Sequence, residues 1–214
     1  MNYNLFLRYK IKRTVKERID SFTFTVYPGV FNPRSYKSSG IFARFIKDMK
    51  DLRGKYILDM GCGSGIVSVF AASLGAQCLA VDINPSSVGC ASFNLKQNHL
   101  EKNTRVMQSD LFHDIPESEK FDIIFFNPPY YDKEPVNDFE TAFNAGKDYR
   151  VIKEFVTDAG KYLNKGGRIY CIVSSDMNIA MFLQILEEQG FKHDIVTEIY
   201  KFFETFYIVN SFLT

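Results

Sequence analysis

Short apolar runs alternate with stretches of helical spacing along most of this chain. Residues 55–60, 77–82 and 121–126 are brief and apolar, and each predicts a strand, while residues 104–108 predict a further short strand. Residues 66–74 repeat apolar side chains at helical spacing, and residues 85–99 predict a second helix with Pro85 at a favourable first position. Helices over 148–164 and 177–189, a strand over 167–174 and two strands within 192–213 complete the order. Strands alternating with helices imply an α/β fold with a parallel sheet covered on both faces. A terminal hairpin adds one antiparallel strand.

The N-terminal part has less regular patterning. Leu7, Ile11, Val15 and Ile19 recur every four residues, which suits a helix, while Leu5, Leu7, Tyr9 and Ile11 alternate, which suits a strand. Residues 22–27 alternate as a strand, and Pro28-Gly29 breaks it. A helix from about 40 to 50 follows, with Ser38 or Ser39 as its cap. Residues 1–50 therefore form an N-terminal extension that leads over a ligand pocket, and residues 51–214 the main domain.

The strand at 55–60 runs through Asp59 into Gly61, Gly63 and Gly65, and a helix starts directly after. Strand, glycine turn and helix make the first half of a nucleotide-binding βαβ unit. The next strand ends in Asp82, 21 residues after Gly61. An acid at that distance commonly bonds ribose hydroxyls. The third glycine comes one residue early for the dinucleotide fingerprint, and no Gly-Lys-Ser/Thr of a P-loop is present. Asp59, just before the turn, suits an ammonium better than a pyrophosphate.

The fourth strand ends in Asn127-Pro128-Pro129-Tyr130. Two prolines fix φ at about −65° at successive positions and push the residue before each into extended geometry. The Asn127 side-chain oxygen and the Pro128 carbonyl become two rigid acceptors, with the Tyr130 ring beside them. Such a site suits a planar NH2 group. Two acceptors take its two hydrogens, and the lone pair is left to attack.

With the glycine turn, Asp82 and Asn-Pro-Pro-Tyr in this order, the chain resembles the class I S-adenosylmethionine-dependent methyltransferases, from about Tyr27 onward. The resemblance implies a Rossmann-like, seven-stranded, mostly parallel sheet with one antiparallel strand and helices on both faces. It implies S-adenosylmethionine as cofactor, held by Asp59, Gly61, Gly63, Gly65, Asp82, Ile83, Asp110, Leu111 and Asn127. Asp110 accepts from the adenine amino group and Leu111 flanks the ring. Asn127, Pro128 and Tyr130 are the implied catalytic residues. Phe31, Pro33 and Arg34 look like the stretch beside the cofactor in amino-group enzymes, but Ser38 and Ser39 stand where release-factor families often carry acids.

Three families share the tetrapeptide: release-factor glutamine N5-methyltransferases, N6-adenine methyltransferases and rRNA guanine-N2 methyltransferases. Residues 139–146 and 150–155 look like the segment after the motif in release-factor enzymes of the eukaryotic and archaeal type. The loop acids Asp132, Glu134, Asp138 and Glu140 are poor ground for phosphates. A protein glutamine, such as that of a translation release factor, is the favoured acceptor. A base amino group in RNA or DNA is the alternative, and a non-catalytic cofactor-binding module a third. An activating subunit, known for the eukaryotic enzymes, is not indicated.

Composition narrows the classes further. The formal net charge is +1, so no strong overall field draws nucleic acid or membrane. Six Lys or Arg against two acids in the first 20 residues read as a solvated face. No run of about 18 apolar residues predicts a membrane span, and the first residues lack the order of a signal peptide. Cys62, Cys78, Cys90 and Cys171 form no C-x-x-C pair, and His99, His113 and His193 are scattered, so no metal is expected. Reduced core thiols fit a cytoplasmic protein.

Overall fold

The computed structural model describes residues 13–35, 37–137, 139–201 and 203–214. Seven strands form one sheet: β3 (Tyr56–Met60), β4 (Gln77–Asp82), β5 (Thr104–Gln108), β6 (Phe121–Phe126), β7 (Leu163–Ser174), β8 (Lys192–Lys201) and β9 (Glu204–Phe212). Their order is β5-β4-β3-β6-β7-β9-β8. All pair in parallel except at β9, which is antiparallel to both neighbours. The order reverses between β3 and β6, and ligands bind α/β sheets in the crevice at such a switch point.

Alternation along the central strands builds two cores. Ile57 and Phe125 face one side, against α1 (Lys37–Lys47), α2 (Ile66–Ser73) and α3 (Pro85–Gln97). Leu58, Ile124 and Phe126 face the other, against α4 (Arg150–Ala159) and α5 (Ile179–Glu188). Phe126 and Phe155 meet with ring centroids 4.4 Å apart beneath the crevice. Burying a side chain such as Phe155 contributes roughly 1.5–3 kcal/mol, so Phe155→Ala would loosen the floor of the site.

A separate hairpin, β1 (Val15–Ile19) with β2 (Phe22–Val26), packs on α3. Asn94, buried in α3, accepts from Thr25 N at 2.7 Å and donates to Thr25 O at 3.1 Å and Ser64 O at 2.9 Å. One amide thereby ties hairpin, helix and glycine turn together. Val15 and Ile19, which the helical spacing would place on a helix, lie instead on a strand, where pairing with β2 sets Val15 opposite Val26 and Ile19 opposite Phe22. The alternating Leu5 to Ile11, with the basic Arg8, Lys10 and Lys12, lie outside the described residues.

Three predicted boundaries are corrected. The helix expected over 40–50 runs from Lys37 to Lys47. Asn32 Oδ1 accepts from Arg34 N at 2.9 Å and Ser35 N at 3.2 Å, closing a turn that launches the helix early. Ser38 and Ser39 are therefore buried inside the helix and do not cap it. The helix expected over 148–164 is α over Arg150–Ala159 only, because Asp148 and Tyr149 take left-handed φ of 57° and 56°. Beyond it, Gly160–Tyr162 tightens into a 3₁₀ turn and β7 begins at Leu163, four residues before its expected start at 167.

Candidate active site

The glycine turn is shaped by backbone geometry before any ligand enters. Gly61, Gly63 and Gly65 have φ of 67°, 53° and 78°, a region where L residues are strained. Gly65 has a second constraint. A Cβ there would lie 3.0 Å from the Ala91 backbone of α3. Gly63 N donates to Asp82 Oδ2 at 2.8 Å, and Asn84 N donates to Asp82 Oδ1 at 2.9 Å. Asp82 therefore anchors the turn with one oxygen and the start of α3 with the other. Burial raises the Asp82 pKa, and the two N–H groups together with the Ser87 hydroxyl oppose that shift.

Asp59 lies beneath the turn, 2% exposed. Its Oδ2 accepts from Ser68 N at 3.0 Å and Ser68 Oγ at 2.6 Å. Burial pushes its pKa up to about 7, against the pull of those two bonds. No basic side chain pairs with it among the described residues. A buried acid without a cation, beside the glycine turn, fits a ligand ammonium.

These residues line one cavity of about 260 Å³, at the carboxyl ends of the strands. Asp59, Gly61, Gly63, Asp82, Ile83, Asp110, Leu111 and Asn127 all border it. Gly65 does not; it shapes the turn from behind. At the far rim Ile83 is 44% exposed, an open apolar surface for a flat ring. Leu111 takes φ 49°, and Ser109 Oγ bonds Leu111 O at 2.7 Å, fixing the loop that carries Asp110. The exposed Asp110 carboxylate makes no hydrogen bond among the described residues and is open to an adenine amino group. Two acids and an open apolar surface, in sequence along one cavity, fit the ammonium, ribose and ring of S-adenosylmethionine.

A second cavity of about 150 Å³ meets the first at Asn127. Pro128 and Tyr130 line only this second one, with Ser38, Tyr131 and Phe206. Asn127 Nδ2 donates to Ser38 Oγ at 3.3 Å, and Tyr130 Oη donates to Asn127 Oδ1 at 3.1 Å or to Ile172 O at 3.3 Å. Burial raises the Tyr130 pKa, so its hydroxyl stays protonated. Tyr130 thus braces Asn127 through its hydroxyl, besides offering its ring. The Pro128 carbonyl accepts no hydrogen bond among the described residues.

Phe31 borders both cavities, while Pro33 and Arg34 border neither. Arg34 pairs with Glu17 at 3.6 Å, which corrects its expected place beside the cofactor. The loop acids are spent on their own loop. Asp132 accepts from Asp148 N, Glu134 from Lys147 N and Glu140 from Asn144 Nδ2, at 2.6, 2.9 and 3.1 Å. Asp138 lies outside the described residues. Sequence reasoning missed Ser68, Ser109 and Ser38, which hold Asp59, the Asp110 loop and Asn127. Single serines carry no local signal for such long-range bonds, except that Ser68 lies one helical turn beyond the glycines.

No metal-holding group of His, Cys, Asp or Glu occurs among the described residues, and no described helix is long and apolar enough to cross a membrane. Residues 21–203 match the methyltransferase small domain family. A Methanocaldococcus jannaschii protein assigned by name to the protein N5-glutamine methyltransferases is 32% identical over 186 residues, covering 84% of this chain and 92% of its own length. Ribosomal RNA small subunit methyltransferase C of Haemophilus influenzae is 29% identical, covering 86% of this chain, which spans only 50% of that relative. The structure of the T. thermophilus 16S rRNA N2 methyltransferase, in complex with AdoMet and guanosine, shares the fold with a TM-score of 0.71 at 23% identity, over 94% of this chain and 50% of that one. The chain belongs to the methyltransferase small domain family and is an S-adenosylmethionine-dependent methyltransferase.

Proposed function

We propose that this methyltransferase acts on a planar NH2 group, and that the group is the side-chain amide of a protein glutamine, such as that of a translation release factor. The observation that carries this is the pair of acceptors at the second cavity: the remaining lone pair of Asn127 Oδ1 and the unoccupied Pro128 carbonyl. An amide nitrogen is a poor nucleophile because its lone pair is delocalised. Two acceptors that take both hydrogens turn that lone pair toward the first cavity. The bound cofactor supplies a methyl group already activated on a sulfonium. Positioning by Asn127 and Pro128 then contributes most of the rate, up to roughly 7–11 kcal/mol for well-oriented groups. Their fixed dipoles also stabilise the positive charge that grows on nitrogen. The proton leaves after transfer, so no strong base is required.

Asp59, Gly61, Gly63, Asp82, Ile83, Asp110 and Leu111 are the proposed cofactor contacts. Gly29, Phe31 and Phe42 border the same cavity, which supports residues 1–50 as a covering segment and residues 51–214 as the methyltransferase domain. Four buried free thiols support a cytoplasmic setting. The glutamine acceptor draws support from the M. jannaschii relative, which this chain nearly spans. A nucleic-acid base is the second reading, favoured by the match to the ribosomal RNA enzyme over half its length.

Transfer of a radiolabelled methyl group from S-adenosylmethionine into a cell lysate, divided between protease and nuclease digestion, separates the two. A whole lysate also supplies any partner subunit. Label released by protease and then recovered as N5-methylglutamine supports the proposal. Label released by nuclease overturns the glutamine acceptor.

A further inference from the structure

Asn127 serves as proposed only if its oxygen, and not its NH2, faces the acceptor. Both ends of a side-chain amide have nearly the same shape. The flipped amide would set donor against donor and repel the substrate amino group. Something must hold the orientation in the absence of substrate.

We propose that Ser38, in the first turn of α1, is the positioning residue that sets the orientation of Asn127, acting with the Tyr130 hydroxyl. This rests on the acceptor role of Asn127 argued above. The bond from Asn127 Nδ2 to Ser38 Oγ, 3.3 Å, spans 89 positions of sequence and joins the covering segment to the end of β6. Ser38 is 4% exposed, so water does not replace it. Two bonds hold the amide: Asn127 Nδ2 donates to Ser38 Oγ, and Tyr130 Oη donates to Asn127 Oδ1.

The phenol proton of Tyr130 lies between two oxygens, Asn127 Oδ1 at 3.1 Å and Ile172 O at 3.3 Å. With that proton shared by Oδ1 and Ser38 Oγ accepting from Nδ2, each end of the amide meets its matching partner. This orientation leaves Asn127 Oδ1 with one lone pair free beside the Pro128 carbonyl. Ser38 touches neither donor nor acceptor in this account. Its effect falls on the transfer step, through Asn127.

Ser38→Ala, Ser38→Thr and Asn127→Ala are compared in single-turnover transfer to the lysate fraction that the wild-type enzyme labels, with calorimetric Kd for S-adenosylmethionine. Ser38→Ala is expected to slow transfer roughly tenfold or more, the effect of an unpaired buried polar group, with cofactor Kd unchanged. Ser38→Thr keeps the hydroxyl and is expected to recover most of the rate. The side-chain NH2 signal of Asn127, in protein labelled with ¹⁵N-asparagine and identified by its loss in Asn127→Asp, is expected to move in Ser38→Ala. That signal decides the matter where the added methyl of threonine disturbs the helix. A wild-type rate or an unmoved signal in Ser38→Ala, with Asn127→Ala inactive, overturns the role of Ser38 and leaves that of Asn127 standing. An active Asn127→Ala overturns both.

Discussion

Gly63 N donates to Asp82 Oδ2 at 2.8 Å, so the acid at the end of β4 holds the glycine turn as well as lining the cavity proposed for the cofactor. Asp82→Ala removes the anchor and the proposed diol acceptor together. Losing hydrogen bonds to a charged group costs about 1.5–3 kcal/mol, a roughly ten- to hundredfold weaker Kd. Calorimetry with S-adenosylmethionine measures it, and a variant that folds normally and binds as tightly as wild type would remove Asp82 from the site. NAD is expected to give no heat with either protein.

Asp59 should make both stability and cofactor binding depend on pH. Its pKa is about 7 in the folded chain against an ordinary 3.8. Between those values the folded state binds the proton that the unfolded state has lost. Stability therefore falls as pH rises from about 4 to about 7 and levels off above, by an amount on the order of 1–4 kcal/mol. An ammonium beside Asp59 favours its ionised form, so cofactor binding should tighten over pH 5.5–7 and release a proton. Calorimetry in buffers of different ionisation enthalpy counts that proton. Its persistence in Asp59→Asn would assign it to another group.

The glycines of the turn should differ in their tolerance of a methyl group. Gly61→Ala meets only a Phe126 ring atom at 3.8 Å, and costs the backbone strain of a positive φ, about 1–2 kcal/mol. Gly65→Ala adds a collision with the Ala91 backbone at 3.0 Å, for a total of about 2–4 kcal/mol. Urea unfolding of the two variants gives the comparison. Equal losses would mean that α3 moves aside freely.

The strands that flank the switch point were readable from the chain because they are short, buried and bounded by sharp turns. Predicted and observed limits coincide for β4, β5 and β6. The start of β7 was hidden by Gly166 and Gly167, which look like a break. A Cβ at Gly167 would in fact lie 2.9 Å from Asn164 O and 3.0 Å from Phe121 O, so glycine there permits close strand approach at an irregular stretch of pairing. The late start of the helix after the motif loop was equally hidden. Asp148 and Tyr149 are ordinary residues in local sequence, and only the loop packing sets them left-handed. At the site, glycines, acids and prolines announce themselves by spacing. Ser38, Ser68 and Ser109 act through contacts that only the fold creates.

Methyl transfer by Asn127 variants tests the central claim most directly. Single-turnover transfer to the labelled lysate fraction is measured beside the Kd for S-adenosylmethionine. Asn127→Ala is expected to lose about 10²–10³ in rate, as for removal of one preorganised polar group, while binding the cofactor nearly as tightly as wild type. Asn127→Asp keeps an acceptor of similar size but adds charge and removes the bond to Ser38, so partial activity is expected. Near-wild-type transfer by Asn127→Ala would contradict the assignment of this chain as an amino-group methyltransferase that works through Asn127.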